Sequence, residues 1–94
     1  MEYEFPADRP AGRRAHVGVV GSGDLEILVT PGQAGTARVR VRTSVDGFDR
    51  VWRTVLERFF ARHRVAGGFE LNDSGATPGV VTLRLRQAVE ESRA

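Results

Sequence analysis

No cysteine occurs in the 94 residues, so neither a disulfide nor a thiolate metal site can be built from this chain. Lysine is absent too. All fourteen basic residues are arginine, set against twelve acidic ones, which leaves a formal net charge of +2. The sequence pI of about 10.4 overstates that balance, because arginine does not titrate in the accessible range. A net charge so small is not the clustered positive field that nucleic acid demands. Long apolar runs are also missing; the longest cover a few residues, far short of the roughly 20 that span a bilayer. The N-terminal stretch MEYEFPADRP is acidic and holds no apolar signal core. The expectation is a cytoplasmic protein with no metal, no membrane and no nucleic acid as partner.

What is present is an ordinary globular composition, 40% hydrophobic and 28% charged, at a length that suits one domain, residues 1–94. Residues 1–14, with Pro6, Pro10 and Gly12, read as an irregular arm with a short edge strand at Tyr3 to Phe5. Residues 15–20, AHVGVV, read as a strand. Gly21 to Asp24 turns the chain, and Leu25, Ile27 and Val29 then alternate with Glu26, Leu28 and Thr30 at strand period. Ala37, Val39 and Val41 mark a third strand whose other face carries Arg38, Arg40 and Arg42. Residues 46–63 change to helical period, with Phe48, Val51, Trp52, Val55, Leu56, Phe59 and Phe60 forming one apolar stripe. Ser44 or Asp46 is the expected cap, and Gly67-Gly68 the expected stop. Phe69, Leu71 and Asp73 predict a short strand, and Gly79 to Arg86 a last one, with Val81, Leu83 and Leu85 alternating against Thr82, Arg84 and Arg86. Residues 87–94 form a tail with a turn or two of helix. The fold class predicted is α+β, order β-β-β-α-β-β. It is a two-layer sandwich of about five mainly antiparallel strands under one long amphipathic helix.

Several chemistries can be weighed on these residues. Gly18-Val19-Val20-Gly21-Ser22-Gly23 resembles a dinucleotide fingerprint only superficially, since LEILVT, a strand, follows where a helix must begin. A serine hydrolase could draw on Ser22, His16 and Asp24, but a hairpin tip supplies no water-excluding pocket. His63 reads as a cation at a helix end. Arg38, Arg40, Arg42, Arg84 and Arg86 would make one basic surface if their strands are neighbours. That surface would dock an acidic partner or, in the alternative reading, serve a small RNA-binding module. No aromatic alternates with those arginines to stack on bases, which favours the protein partner. Trp52, Phe59 and Phe60 read as core. A serine between Gly21 and Gly23 is uncrowded and reachable, as a modification acceptor must be, although a polar turn needs no more than this.

Three blocks carry a resemblance that covers roughly residues 16–91: VGVVGSGDLEIL, VRVRTSVDGFDRVWRTVLERFFARH and ELNDSGATPGVVTLRLRQAVEE. They resemble the acyl carrier (delta) subunit of malonate decarboxylase, a family distantly related to the acyl carrier subunit of citrate lyase. The resemblance implies that Ser22 carries 2'-(5''-phosphoribosyl)-3'-dephospho-CoA through a phosphodiester, with Gly21, Gly23 and Asp24 as the attachment-loop neighbours. It implies a non-catalytic subunit whose arm holds acetyl or malonyl groups while malonate is converted to acetate and CO2. It implies as partners the transferase (alpha) and decarboxylase (beta, gamma) subunits, a prosthetic-group transferase and a malonyl transferase. A cysteine-free chain suits this, because the arm brings the thiol. The Asp-Ser-Leu of helical acyl carriers is absent.

Overall fold

The computed structural model describes residues 1–32 and 35–93. The elements in chain order are β1 (Glu2–Pro6), β2 (Arg9–Pro10), β3 (Ala15–Gly18), β4 (Asp24–Thr30), β5 (Thr36–Thr43), α1 (Asp49–Arg62), β6 (Val65–Ser74) and α2 (Pro78–Glu91). The strands form one six-stranded sheet in the order β1-β5-β6-β4-β3, with β2 pairing onto β6. The sheet is mixed: β5 runs parallel to β6, as the α1 crossover requires, while β1–β5, β4–β6 and β3–β4 are antiparallel.

Alternation sets the two faces of the sheet. Leu25, Ile27 and Val29 on β4, Ala37, Val39 and Val41 on β5, and Phe69 and Leu71 on β6 are all buried. They meet Trp52, Leu56, Phe59 and Phe60 from α1 and Val81, Leu85, Ala88 and Val89 from α2. Each fully buried Leu or Phe in such a layer contributes about 1.5–3 kcal/mol of transfer free energy. Phe60 knits the layers together, lying 5.2 Å from the ring of Phe5 on β1 and 5.0 Å from that of Phe69 on β6. The other sheet face is open and polar.

The α+β class and the core aromatics are as the sequence leads one to expect, but four local expectations are overturned. Residues 79–86 are helix, not strand. Thr77 caps α2, its Oγ1 accepting from the Val80 amide at 3.3 Å, and Pro78 follows at the first turn. Val81, Leu85, Ala88 and Val89 then recur at helical spacing, and Gln87 to Glu91 of the tail belong to the same helix; Ala94 lies outside the described residues. The arm is not irregular beyond its edge strand. After β1 and β2, the Ala11 amide donates to the Ala66 carbonyl, and the Gly12 and Arg13 amides donate to the Ser92 carbonyl. The N-cap of α1 is Phe48, with no side-chain capping bond, so neither Ser44 nor Asp46 plays that part. Gly67 and Gly68 lie inside β6, which has ten residues and is longer than predicted.

Candidate functional site

The turn between β3 and β4 is built in two layers, a fixed base and a free tip. At its base β3 ends on Gly18, whose φ is 74°. Its Cα is packed against the Leu25 carbonyl, so only a residue without Cβ fits there. The Asp24 amide donates to the Gly21 carbonyl at 2.9 Å, closing a four-residue turn around Ser22. The Gly23 amide donates to the Ser74 carbonyl at 2.8 Å, which ties the turn to the end of β6.

A side-chain clamp completes the base. Arg84 on α2 grips Asp24 with two donors, Nε to Oδ1 at 3.0 Å and Nη2 to Oδ2 at 2.8 Å. Arg84 Nη1 donates to Gln87 Oε1 at 2.8 Å, which steadies the guanidinium on its own helix. The Leu25 amide donates to Asp24 Oδ1 at 2.7 Å. The Arg84 hydrogen bonds first, and then the Leu25 amide, hold the Asp24 carboxyl below the usual carboxylate range. The same pairing raises the already high pKa of Arg84. A lowered carboxyl pKa makes a definite pH signature. The clamp contributes stability above pH 3.8, the ordinary value, and loses it as pH falls through the lower folded value. Arg84→Leu is therefore expected to melt earlier than wild type at neutral pH. The gap between the two melting temperatures should close on acidification below that value. A gap independent of pH from neutrality down through the carboxylate range would show that the clamp carries no such coupling.

Above this base the tip is open. Ser22 and Gly23 are exposed, and Val19 and Val20 are 61% and 59% exposed. Nothing lies within 4 Å of where a Cβ on Gly23 would stand, and the corresponding position on Gly21 is 3.6 Å from Val19 Cγ2. Among the described residues no side-chain hydrogen bond holds the Ser22 hydroxyl. Asp24 orients the loop rather than the hydroxyl, since both its oxygens are committed. No catalytic pair forms. The His16 ring bonds Glu26 Oε2 through Nε2 at 2.9 Å, and Asn72 Nδ2 donates to Glu26 Oε1 at 2.9 Å. These bonds, that from Asn72 first, lower the Glu26 pKa. The hydrolase arrangement of Ser22 with His16 and Asp24 is thus not assembled.

The five arginines do not share one surface. Arg38, Arg40 and Arg42 stand on the open sheet face, whereas Arg84 and Arg86 ride on α2. The open face is also not a positive strip. Arg38 Nε lies 3.2 Å from Glu4 and Arg40 Nη1 lies 3.9 Å from Glu70, with Glu2 and Glu26 on the same side. This removes the basic stripe on which an RNA-binding reading depends. His63 stands at the end of α1, as its C-cap. Burial first, and then the charges of Arg86, Arg9, Arg62 and Arg93, lower its pKa, and its ring stacks on Phe59 at 4.4 Å. Among the described residues there is no cluster of three His, Asp or Glu fit for a metal ion. No described helix is long and apolar enough to cross a membrane.

The turn between β3 and β4 thus presents the exposed Ser22 on a braced base, with the His16 ring bonded to Glu26 rather than to the serine. The family model of the malonate decarboxylase delta subunit (MdcD) matches residues 12–92, and the chain belongs to that family. It is 53% identical over 92 residues to the malonate decarboxylase acyl carrier protein of Azotobacter vinelandii, covering 97% of this chain and 93% of the relative. It is 50% identical, with the same coverage, to the malonate decarboxylase acyl carrier protein of Stutzerimonas stutzeri. Among solved structures it is similar to a chain in the crystal structure of a Pseudomonas malonate decarboxylase hetero-tetramer in complex with malonate. The TM-score is 0.92 and the identity 49%, over 97% of this chain and 95% of that one.

Proposed function

We propose that the chain is the non-catalytic acyl carrier subunit of a malonate decarboxylase and that Ser22 is the attachment point of its arm. The observation that carries this reading is the contrast within one turn. The Ser22 hydroxyl is exposed and unbonded among the described residues, while the residues around it are fixed by Arg84, Ser74 and the Gly21–Asp24 turn. A transferring enzyme needs such an arrangement, because it must reach the oxygen without first unfolding its surroundings.

The arm in this reading is 2'-(5''-phosphoribosyl)-3'-dephospho-CoA, and the residues fit it. Gly21 and Gly23 leave open space on both sides of the acceptor oxygen, and the neighbouring Asp24 carboxylate is neutralised by Arg84 rather than left to repel a phosphodiester. When bound, the arm supplies a thiol that holds malonate as a thioester, whose carbonyl can take up the electron pair left by departing CO2. This chain's part is to present that thiol, and a tether keeps it at high effective concentration before each partner. The proposed partners are the alpha, beta and gamma subunits, the prosthetic-group transferase and the malonyl transferase. Of Arg38, Arg40 and Arg42, docking to an acidic partner surface falls to Arg42, exposed beside the end of the sheet that bears Ser22, since Arg38 and Arg40 already face Glu4 and Glu70.

The test is peptide mapping of chain isolated from its own host. One covalent adduct is expected per chain, on the peptide spanning Ser22, with the mass of the phosphoribosyl-dephospho-CoA group. An unmodified chain, or an adduct on another serine, would overturn the assignment.

A further inference from the structure

The end of the sheet that carries Ser22 also carries an apolar cavity that the carrier reading leaves unused. Register fixes the placement: Thr43 pairs with Asp73 and Asp24 with Ser74, so the ends of β5, β6 and β4 lie together. The cavity, about 370 Å³, opens between the start of α1 and the β6–α2 connection. Trp52, Val55 and Val81 wall it. Val45, Phe48 and Val51 form its rim and are 39%, 48% and 41% exposed, an unusual concentration of solvent-facing apolar groups. The polar side chain set deepest in the lining is Asp73, 8% exposed. Its carboxylate is occupied by the Thr43 hydroxyl at 2.8 Å and by the Gly75 and Ala76 amides at 3.2 and 3.0 Å.

The distance from Ser22 is short. Gly23 bonds Ser74, and Gly75 lines the cavity. Two Cα steps and one hydrogen bond therefore separate Ser22 from it, at most ~11 Å. The pantetheine portion of the proposed arm alone is longer than that. The volume falls within the range of small-molecule sites, roughly 300–1,000 Å³. Its chemistry selects a neutral, mostly apolar guest, because the walls offer few polar groups to solvate a charge. A guest bearing its own carboxylate would meet apolar walls and the Asp73 anion, with no described cation in the lining to offset it.

We propose that this cavity is a resting site for the acetyl-thioester end of the arm and that it rejects the malonyl thioester. The proposal rests on the carrier reading for its ligand. Exchange of acetyl for malonyl then works as a release signal: the added carboxylate cannot be desolvated in the cavity, and the charged end stays in solvent. A weak site is sufficient, since a short tether gives effective concentrations of roughly millimolar.

Trp52 is the only tryptophan and lines the cavity, so its emission reports occupancy directly. The experiment titrates the full, unmodified chain with S-acetyl-pantetheine and, separately, with S-malonyl-pantetheine. A saturable change in Trp52 emission is expected in the millimolar range for the acetyl compound, with malonyl binding at least tenfold weaker. Two variants bear on the same point. Ala76→Phe fills the cavity, and Val51→Asp places a charge on its exposed rim without touching the core. Either should abolish the response while circular dichroism shows the fold retained. No saturable response, equal responses to the two thioesters, or a response that survives both variants would overturn the proposal. None of these outcomes depends on Ser22 being modified, so the resting site and the attachment site can fail separately.

Discussion

Ser22→Ala is expected to reduce prosthetic-group loading below detection while leaving the fold unchanged. The two halves of this expectation come from the same geometry. The hydroxyl is exposed and bonds nothing among the described residues, so its removal should alter stability by no more than about 0.5 kcal/mol. Loading should vanish because no other serine offers an equivalent oxygen. Ser92 is 1% exposed, its hydroxyl donates to the Val89 carbonyl at 2.8 Å, and its own carbonyl accepts from Gly12 and Arg13. Ser74 is the last residue of β6 and is half-buried behind the Gly23 bond. Ser44 is exposed but has no bracing of the kind that Arg84 gives the Ser22 turn. Intact mass after co-expression with the prosthetic-group transferase reads the first half, and thermal melting the second. CO2 release by the reconstituted complex should fall to background in parallel. An adduct that persists on the Ser22→Ala variant, or undiminished turnover, would move the attachment site elsewhere and remove the basis of the carrier assignment.

The Ser22 turn is legible in the sequence because its signals are local. A serine flanked by glycines, between two alternating apolar runs, announces both the hairpin and the free hydroxyl. What braces that turn is invisible there, because Asp24 and Arg84 are sixty residues apart and nothing in either neighbourhood names the other. The same pairing shows why α2 reads as a strand. Val81, Leu83 and Leu85 alternate as a strand would, but Leu83 is 49% exposed and only Val81 and Leu85 face the core. The decisive residues lie outside that window, Thr77-Pro78 before it and Ala88 and Val89 after it. Read over fourteen positions the period is helical; read over eight it is ambiguous. The short window places Arg84 and Arg86 on a sheet face they do not occupy and so hides the clamp. The cavity eludes the sequence for a related reason. Phe48, Val51, Trp52 and Val55 read as one buried stripe, and only the partial exposure of three of them reveals that the stripe's first turn is left uncovered.

Gly18→Ala is expected to cost more stability than any other single methyl addition at the turn. Two penalties add. A φ of 74° lies in the left-handed region, where a side chain costs about 1–2 kcal/mol. The new Cβ would also overlap the Leu25 carbonyl oxygen, with the Leu25 carbonyl carbon at 3.2 Å and Arg84 Cδ at 3.4 Å. Backbone cannot yield as a flexible side chain can, so β3 must shift away from β4 at a further cost of about 1–3 kcal/mol. The sum, roughly 2–5 kcal/mol, is a large part of the stability of a domain this small, and corresponds to a loss of roughly 8–40 °C in melting temperature. Gly23→Ala is the control that separates the two terms. Its φ of 75° matches that of Gly18, but nothing lies within 4 Å of its Cβ. It should therefore lose only the conformational part, about 1–2 kcal/mol. Because Arg84 Cδ packs on Gly18, the Gly18 substitution should also loosen the Asp24 clamp and slow loading at Ser22, a coupling that Gly23→Ala lacks. Equal melting temperatures for the two variants would mean that Gly18 is needed only for its φ, and that the close approach of β3 to Leu25 does not hold the turn in place.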